Sequence, residues 1–180
     1  LVFHALTGDQ FVTGKNPITN KDGWWSYAVG PNKSIDTNKY FIICANVIGG
    51  CMGSFGPSHI NPKTNKSYGT DFPVITINDI VNAQVNLLDH FGIKKLFSVV
   101  GGSMGGMQVL QFVSNFADKT KTAVPIAFTT SYSAQNIAYN EHGRQAITAD
   151  HNWSKGEYSS NNTIPDKGLA VARMAAHITY

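Results

Sequence analysis

The sequence predicts an α/β protein built on a doubly wound, mostly parallel sheet. Three features predict it: short apolar runs that read as buried strands, amphipathic stretches between them, and a Gly-x-Ser-x-Gly turn that joins one such strand to one such helix. The strand candidates are residues 1–6, 40–47, 96–100 and 123–128. They are rich in β-branched and aromatic residues and do not alternate in polarity, which is what a parallel sheet covered on both faces requires. Strand alternating with helix is the order of that class, with right-handed crossovers between the strands.

Each element has a local reason. Residues 78–91 carry Val81, Val85 and Leu88 at helical spacing, with Leu87 and Phe91 beside them. Thr76 and Asp79 make a Ser/Thr-x-x-Asp/Glu start signal, and Gly92 supplies the stop. A second helix is expected over 104–116, with Met107, Leu110 and either Val113 or Phe112 facing inward. Beyond Phe128 the texture changes to helix-like stretches at 134–148 and 167–177, with no further strand. Two readings fit: peripheral helices, or a helical insertion over the sheet. The expected organisation is a partial core with the Ser turn over 1–130, followed by the beginning of a helical lid over 131–180. The Gly-, Pro-, Asn- and Ser-rich loop at 49–72 is long for a mere connection and invites a functional reading. The apolar opening run has no initiator Met and no cap, so a chain entered partway through a longer protein is expected.

Composition excludes several classes. With 180 residues, the chain holds one domain, or one and part of another. Hydrophobic residues at 42% against 14% charged, where ~25% charged is usual, exclude a disordered charged tail. A formal charge of +3, thinly spread, gives no basic footprint for nucleic acid. No membrane partner is expected either, because no run approaches the ~18 apolar residues of a span and no signal peptide is visible. Cys44 and Cys51 fit neither a disulfide framework nor a zinc pattern. A reduced, cytoplasmic protein is therefore expected, with Cys44 in the core and Cys51 as a small loop residue.

The strongest chemical signal is the run from Val99 to Gly106, in which Ser103 sits between Gly101 and Gly105. A strand ends, the serine follows in a sharp turn, and a helix begins; small neighbours let strand and helix approach closely. The hydroxyl then lies at a helix N-terminus, where aligned amides favour developing negative charge. A phosphate loop is the rival, but no Gly-Lys-Ser/Thr follows. Ser103 reads as a nucleophile. Acyl transfer needs an oxyanion hole and a base. The Met104 amide is the usual first donor, and the turn after the first strand is placed to give the second through the backbone of Leu6 or Thr7. The base is harder to find. His142, His151 and His177 follow the serine, as do Asp118, Asp150 and Asp166, but none comes after a strand where such a triad would place it. Nor does any His grouping suggest a metal. Trp24-Trp25 is expected to pack against the first strand. Arg173, one of two arginines, lies in an otherwise apolar helix. A half-buried guanidinium there must be paired, through either a structural ion pair or a bound carboxylate. Arg144, in a more polar setting, is the better candidate for a structural pair.

Taken together, His4-Ala-Leu-Thr-Gly-Asp, Gly23-Trp-Trp, Asn46-Val-Ile-Gly-Gly-Cys-Met-Gly-Ser, Gly102-Ser-Met-Gly-Gly-Met-Gln and the run from Gly168 to Tyr180 resemble the homoserine O-acyltransferases, in family order along the whole chain. The resemblance implies an α/β-hydrolase fold with a helical lid. It also implies transfer of an acyl group from acetyl-CoA, or in some members succinyl-CoA, to the hydroxyl of L-homoserine on the way to methionine. Position by position, Ser103 matches the nucleophile, Met104 and Leu6 the backbone oxyanion donors, and Arg173 the residue that holds the amino-acid carboxylate. Thr7 and Tyr180 match lesser residues of the substrate pocket. The family's Asp and His are expected beyond Tyr180. No metal or tightly bound cofactor is implied, acyl-CoA being a co-substrate, and a homodimer is expected at full length. Phe55 departs from the family pattern. Serine as acceptor, a plain esterase on the same fold, and an inactive fragment lacking its base are the alternatives.

Overall fold

A computed structural model describes every residue except Ser159 and Tyr180. In chain order the strands are β1 (Val2–Phe3), β2 (Val29–Gly30), β3 (Ile35–Asp36), β4 (Ile60–Asn61), β5 (Lys66–Ser67), β6 (Leu96–Gly102) and β7 (Thr120–Ile126). The helices are α1 (Ile77–His90), α2 (Met104–Phe116), α3 (Ala134–Thr148) and α4 (Asp166–Thr179). Contacts divide the chain into two compact units. One comprises Leu1–Phe55 with Val74–Thr130, the other Gly56–Pro73 with Ser131–Tyr180.

The first unit is built on a parallel sheet in the order β1-β6-β7. Val2 pairs with Val100, and β6 runs beside β7 from Leu96↔Thr120 to Gly102↔Ile126. Successive β1 side chains point to opposite faces, and the two faces are covered differently. Leu1 and Phe3 join Val81, Val85 and Leu88 of α1, Val99 of β6, and Val109 and Phe112 of α2 in the larger core. Val2 joins Val12 and Val29 on the other side, where Trp24 and Trp25 stack at 5.4 Å and close the face. That bears out the expected packing of the tryptophans against the first strand. The helix cover described here thus lies on one face, with a loop on the other.

Several expected elements change. The run at 1–6 narrows to Val2–Phe3, because a turn closed by the Gly8 N–H on the Ala5 carbonyl (2.9 Å) carries the chain away. The run at 40–47 forms no strand. It meets so short a neighbour that only Cys44 bridges Val2, beside a bond from the Val2 N–H to the Ile43 carbonyl. The strand expected at 123–128 is Thr120–Ile126, and it is exposed along nearly its whole length rather than buried. It is the outer strand of the described sheet, and Ala127, with φ 44°, ends it.

The helices keep close to expectation, apart from one face. At the start of α1, Thr76 Oγ1 accepts from the Asp79 N–H, while Asp79 Oδ2 accepts from the Thr76 N–H at 2.8 Å. The Thr76 hydroxyl, donating to Asp79 Oδ2 at 2.6 Å, and the Thr76 N–H together hold the Asp79 carboxyl below its ordinary range. Gly92 follows with φ 68°. On α2, however, the buried residues are Gly105, Gly106, Gln108, Val109 and Phe112, whereas Met107 and Leu110 are only half-buried. The helix turns its glycines inward because the sheet comes too close there for side chains.

In the second unit, β4 and β5 form an antiparallel hairpin from within the long loop, and α3 packs on α4. Small residues allow that approach: a Cβ on Gly168 would collide with the Ala146 carbonyl, and one on Gly143 would rest 3.8 Å from Ala172 Cβ. Asp150 ties the connection together. Its carboxylate accepts from the Asn152 N–H (2.9 Å) and the Gly168 N–H (2.8 Å), which lowers its pKa.

Candidate active site

Ser103 lies between β6 and α2 with φ 56° and ψ −122°, a backbone region non-glycine residues rarely enter. Such a conformation costs about 1–3 kcal/mol and persists only where its surroundings enforce it. Here backbone enforces it. A Cβ on Gly101 would sit 2.5 Å from the Gly105 carbonyl, and one on Gly105 would strike the Phe3 carbonyl. A Cβ on Gly106 would meet Phe128 Cβ at 2.7 Å. The Ser103 N–H is held by the Ile126 carbonyl at 3.0 Å, and its own carbonyl accepts from the Met107 N–H at 3.2 Å. Strand, turn and helix are thus locked on three sides, with the serine half-buried at the helix N-terminus. Its hydroxyl makes no hydrogen bond to α2.

The remaining sequence candidates fall into two groups. Met104 opens α2 directly after the serine. Leu6 and Thr7 are exposed on the Ala5–Gly8 turn that leaves β1, the strand whose end packs against Gly105. These belong to the first unit. Arg173 belongs to the second, on α4, and the expectation that its guanidinium is half-buried is corrected. Arg173 is exposed, and its Nε donates to His177 Nε2 at 3.0 Å. The reason is the α4 face: Gly168, Ala172, Ala175 and Ala176 turn inward toward close packing, leaving Arg173 on the open side. Arg144 pairs with Glu141 at 2.6 Å, as its setting suggested. Tyr180 lies outside the described residues.

His4 is buried, and both its ring nitrogens are engaged: Nε2 accepts from the Val47 N–H (3.2 Å), so Nδ1 carries the proton and donates to the Ala5 carbonyl (2.8 Å). His151 lies 3.5 Å from Asp150. Burial pushes the Cys44 thiol up to about 12, with the Asp9 charge adding to the effect, while Cys51 is exposed. Among the described residues, no group of three or more His, Cys, Asp or Glu could hold a metal ion, and no helix is long and apolar enough to cross a membrane.

Sequence reading missed one buried polar side chain beside the elbow. Gln108, fully buried, donates from Nε2 to the His4 carbonyl (3.2 Å) and the Met104 carbonyl (3.3 Å), and its Oε1 accepts from Gln84 Nε2 (3.4 Å). Its position, three residues after Gly105 and therefore on the same helix face, was the available signal.

A serine raised on a Gly-x-Ser-x-Gly turn between a parallel strand and a helix defines the α/β-hydrolase class, and the chain belongs to that family: the model described as "alpha/beta hydrolase fold" matches residues 1–178. Among curated relatives, the homoserine O-acetyltransferase of Pelagibacter ubique is 74% identical over all 180 residues, which cover 48% of its own length. The crystal structure of the homoserine O-acetyltransferase from Bacillus anthracis superposes with TM-score 0.90 at 29% identity, covering 98% of this chain and 50% of that one. Esterase E22 superposes with TM-score 0.85 at 34% identity, covering 97% and 49%. The chain spans about half the length of the curated relatives it matches.

Proposed function

We propose that the whole protein transfers an acetyl group from acetyl-CoA to the hydroxyl of L-homoserine through an acyl-enzyme on Ser103. The observation that carries this reading is the 74% identity to a homoserine O-acetyltransferase across every residue of the chain, elbow included. In the mechanism, a histidine base takes the Ser103 proton and Oγ attacks the thioester carbonyl. The resulting oxyanion rests on the Met104 and Leu6 amides, whose contribution is electrostatic and present before reaction. Coenzyme A leaves as the thiol. Homoserine, held by its carboxylate at Arg173, then attacks the acyl-serine and regenerates the hydroxyl. By the same resemblance, Thr7 and Tyr180 are lesser contacts of the acceptor, and residues 131–180 are the beginning of a lid insertion. Arg173 is exposed and its Nε is taken by His177, so a carboxylate would be gripped in a bidentate manner through the two Nη groups. No metal or tightly bound cofactor takes part.

A second reading has support in the likeness to esterase E22, since water can replace homoserine in the deacylation step. One experiment separates them. The protein at its full natural length is given acetyl-CoA or succinyl-CoA with L-homoserine, L-serine or no acceptor, and free CoA is followed. Acetyl-CoA turnover strictly dependent on homoserine is expected. Turnover that proceeds equally without an amino acid would favour the esterase.

A further inference from the structure

We propose that Gln108 is the positioning residue of the oxyanion hole, a single amide that clips together the two backbone segments carrying the two donors. The inference rests on the reading above, in which Leu6 and Met104 donate to the oxyanion.

Both hydrogens of the Gln108 amide are committed, one to the His4 carbonyl and one to the Met104 carbonyl, and Gln84 holds its oxygen. His4 precedes the turn that presents Leu6; Met104 carries the other donor. The orientation then propagates through planar peptides, in which C=O and N–H point in opposite directions. The Ala5 carbonyl accepts from both His4 Nδ1 and the Gly8 N–H, so the Leu6 N–H in the same peptide has its direction fixed. The Ser103 carbonyl accepts from the Met107 N–H, which does the same for the Met104 N–H. The β1–β6 pairing and the close approach of Gly105 to Phe3 bring the two segments together, and what remains for a side chain is a bond across that approach. Gln108 is the side chain that bonds both. An amphipathic helix ordinarily puts an apolar residue at a fully buried position. A glutamine there is accounted for by the His4 carbonyl, which lies just past the end of β1 and which Gln108 reaches from α2.

The test uses the protein at its full natural length, with p-nitrophenyl acetate and acetyl-CoA as alternative acyl donors. Acylation of Ser103 is measured as the burst rate per folded molecule. Gln108→Leu should lower the acylation rate by ~10–10²-fold, as small misplacements of catalytic groups do, while donor KM moves less than about threefold. Gln111→Leu, on the same helix but bonded to Asn78 at the surface, serves as the control. If Gln108→Leu does not fold, Gln108→Glu decides. A carboxylate facing two carbonyls in a buried site has a raised pKa. Only its protonated form can donate, through one O–H to the His4 carbonyl, so the variant's rate relative to wild type should rise, in part, as pH falls. A merely structural role would lower melting temperature without moving that ratio. A folded Gln108→Leu acylating within about twofold of wild type, or a Gln108→Glu ratio flat with pH, would overturn the proposal. Wild-type acylation by the ester but not by acetyl-CoA would overturn the donor reading alone and leave the Gln108 comparison intact. Acylation by neither would overturn both.

Discussion

Around Ser103, backbone meets backbone: the Gly101 and Gly105 positions have no room for a Cβ, and the turn is bordered by a core in which Phe3, Val99, Val109 and Phe112 are wholly buried. The helices α3 and α4 are held otherwise. Buried residues are absent from α3 and limited to Gly168 on α4, and the connection between them hangs on the Asp150 carboxylate. The contrast teaches where each kind of function resides. The geometry of the proposed nucleophile is written into steric exclusion that leaves no room for a Cβ, while the proposed acceptor-binding arginine sits on a unit that polar caps hold and that a change of charge can loosen.

Breaking the first half of the comparison should have the largest effect. In Gly105→Ala the new methyl meets the Phe3 carbonyl, and overpacking of this kind costs about 1–3 kcal/mol or more. A lowered melting temperature is expected, with acylation reduced by at least ~10²-fold; a variant acylating normally would show that the glycine is not needed for the elbow. Arg173→Ala should come next. Loss of a charge-assisted carboxylate contact is worth about 1.5–3 kcal/mol, hence a homoserine KM raised ~10–100-fold. Acetyl loading of Ser103 should fall far less, and an unchanged KM would remove the arginine from the pocket. The smallest effect sharpens the account of the second unit. Asp150→Ala should raise amide hydrogen exchange over residues 166–179 near neutral pH. Because hydrogen bonds depress the native pKa of Asp150 below the ordinary 3.8, its stabilisation is complete above that value and is lost as pH falls through the lowered one. Wild type should therefore converge on the variant only in strong acid.

Much of the first unit was legible because its rules are local. The Thr76–Asp79 cap, the Gly92 stop and the Gly-x-Ser-x-Gly turn each depend on residues a few positions apart, and the structure contains all three. The inward face of α2 was not legible, since its burial follows from how closely β1 and β6 approach rather than from side-chain hydropathy. Gln108 escaped for the same reason: its two carbonyl partners include His4, 104 residues away. Nor could sequence give the exposure of Arg173, which depends on which face of α4 the small residues draw toward α3.

The central claim is that Ser103 carries the acyl group. Intact-mass spectrometry of the full-length protein after brief exposure to acetyl-CoA, with peptide mapping, tests it most directly. One added acetyl on Ser103 is predicted, removed by L-homoserine and absent from Ser103→Ala. An unmodified serine under turnover, or an acetyl that persists in Ser103→Ala, would contradict the account.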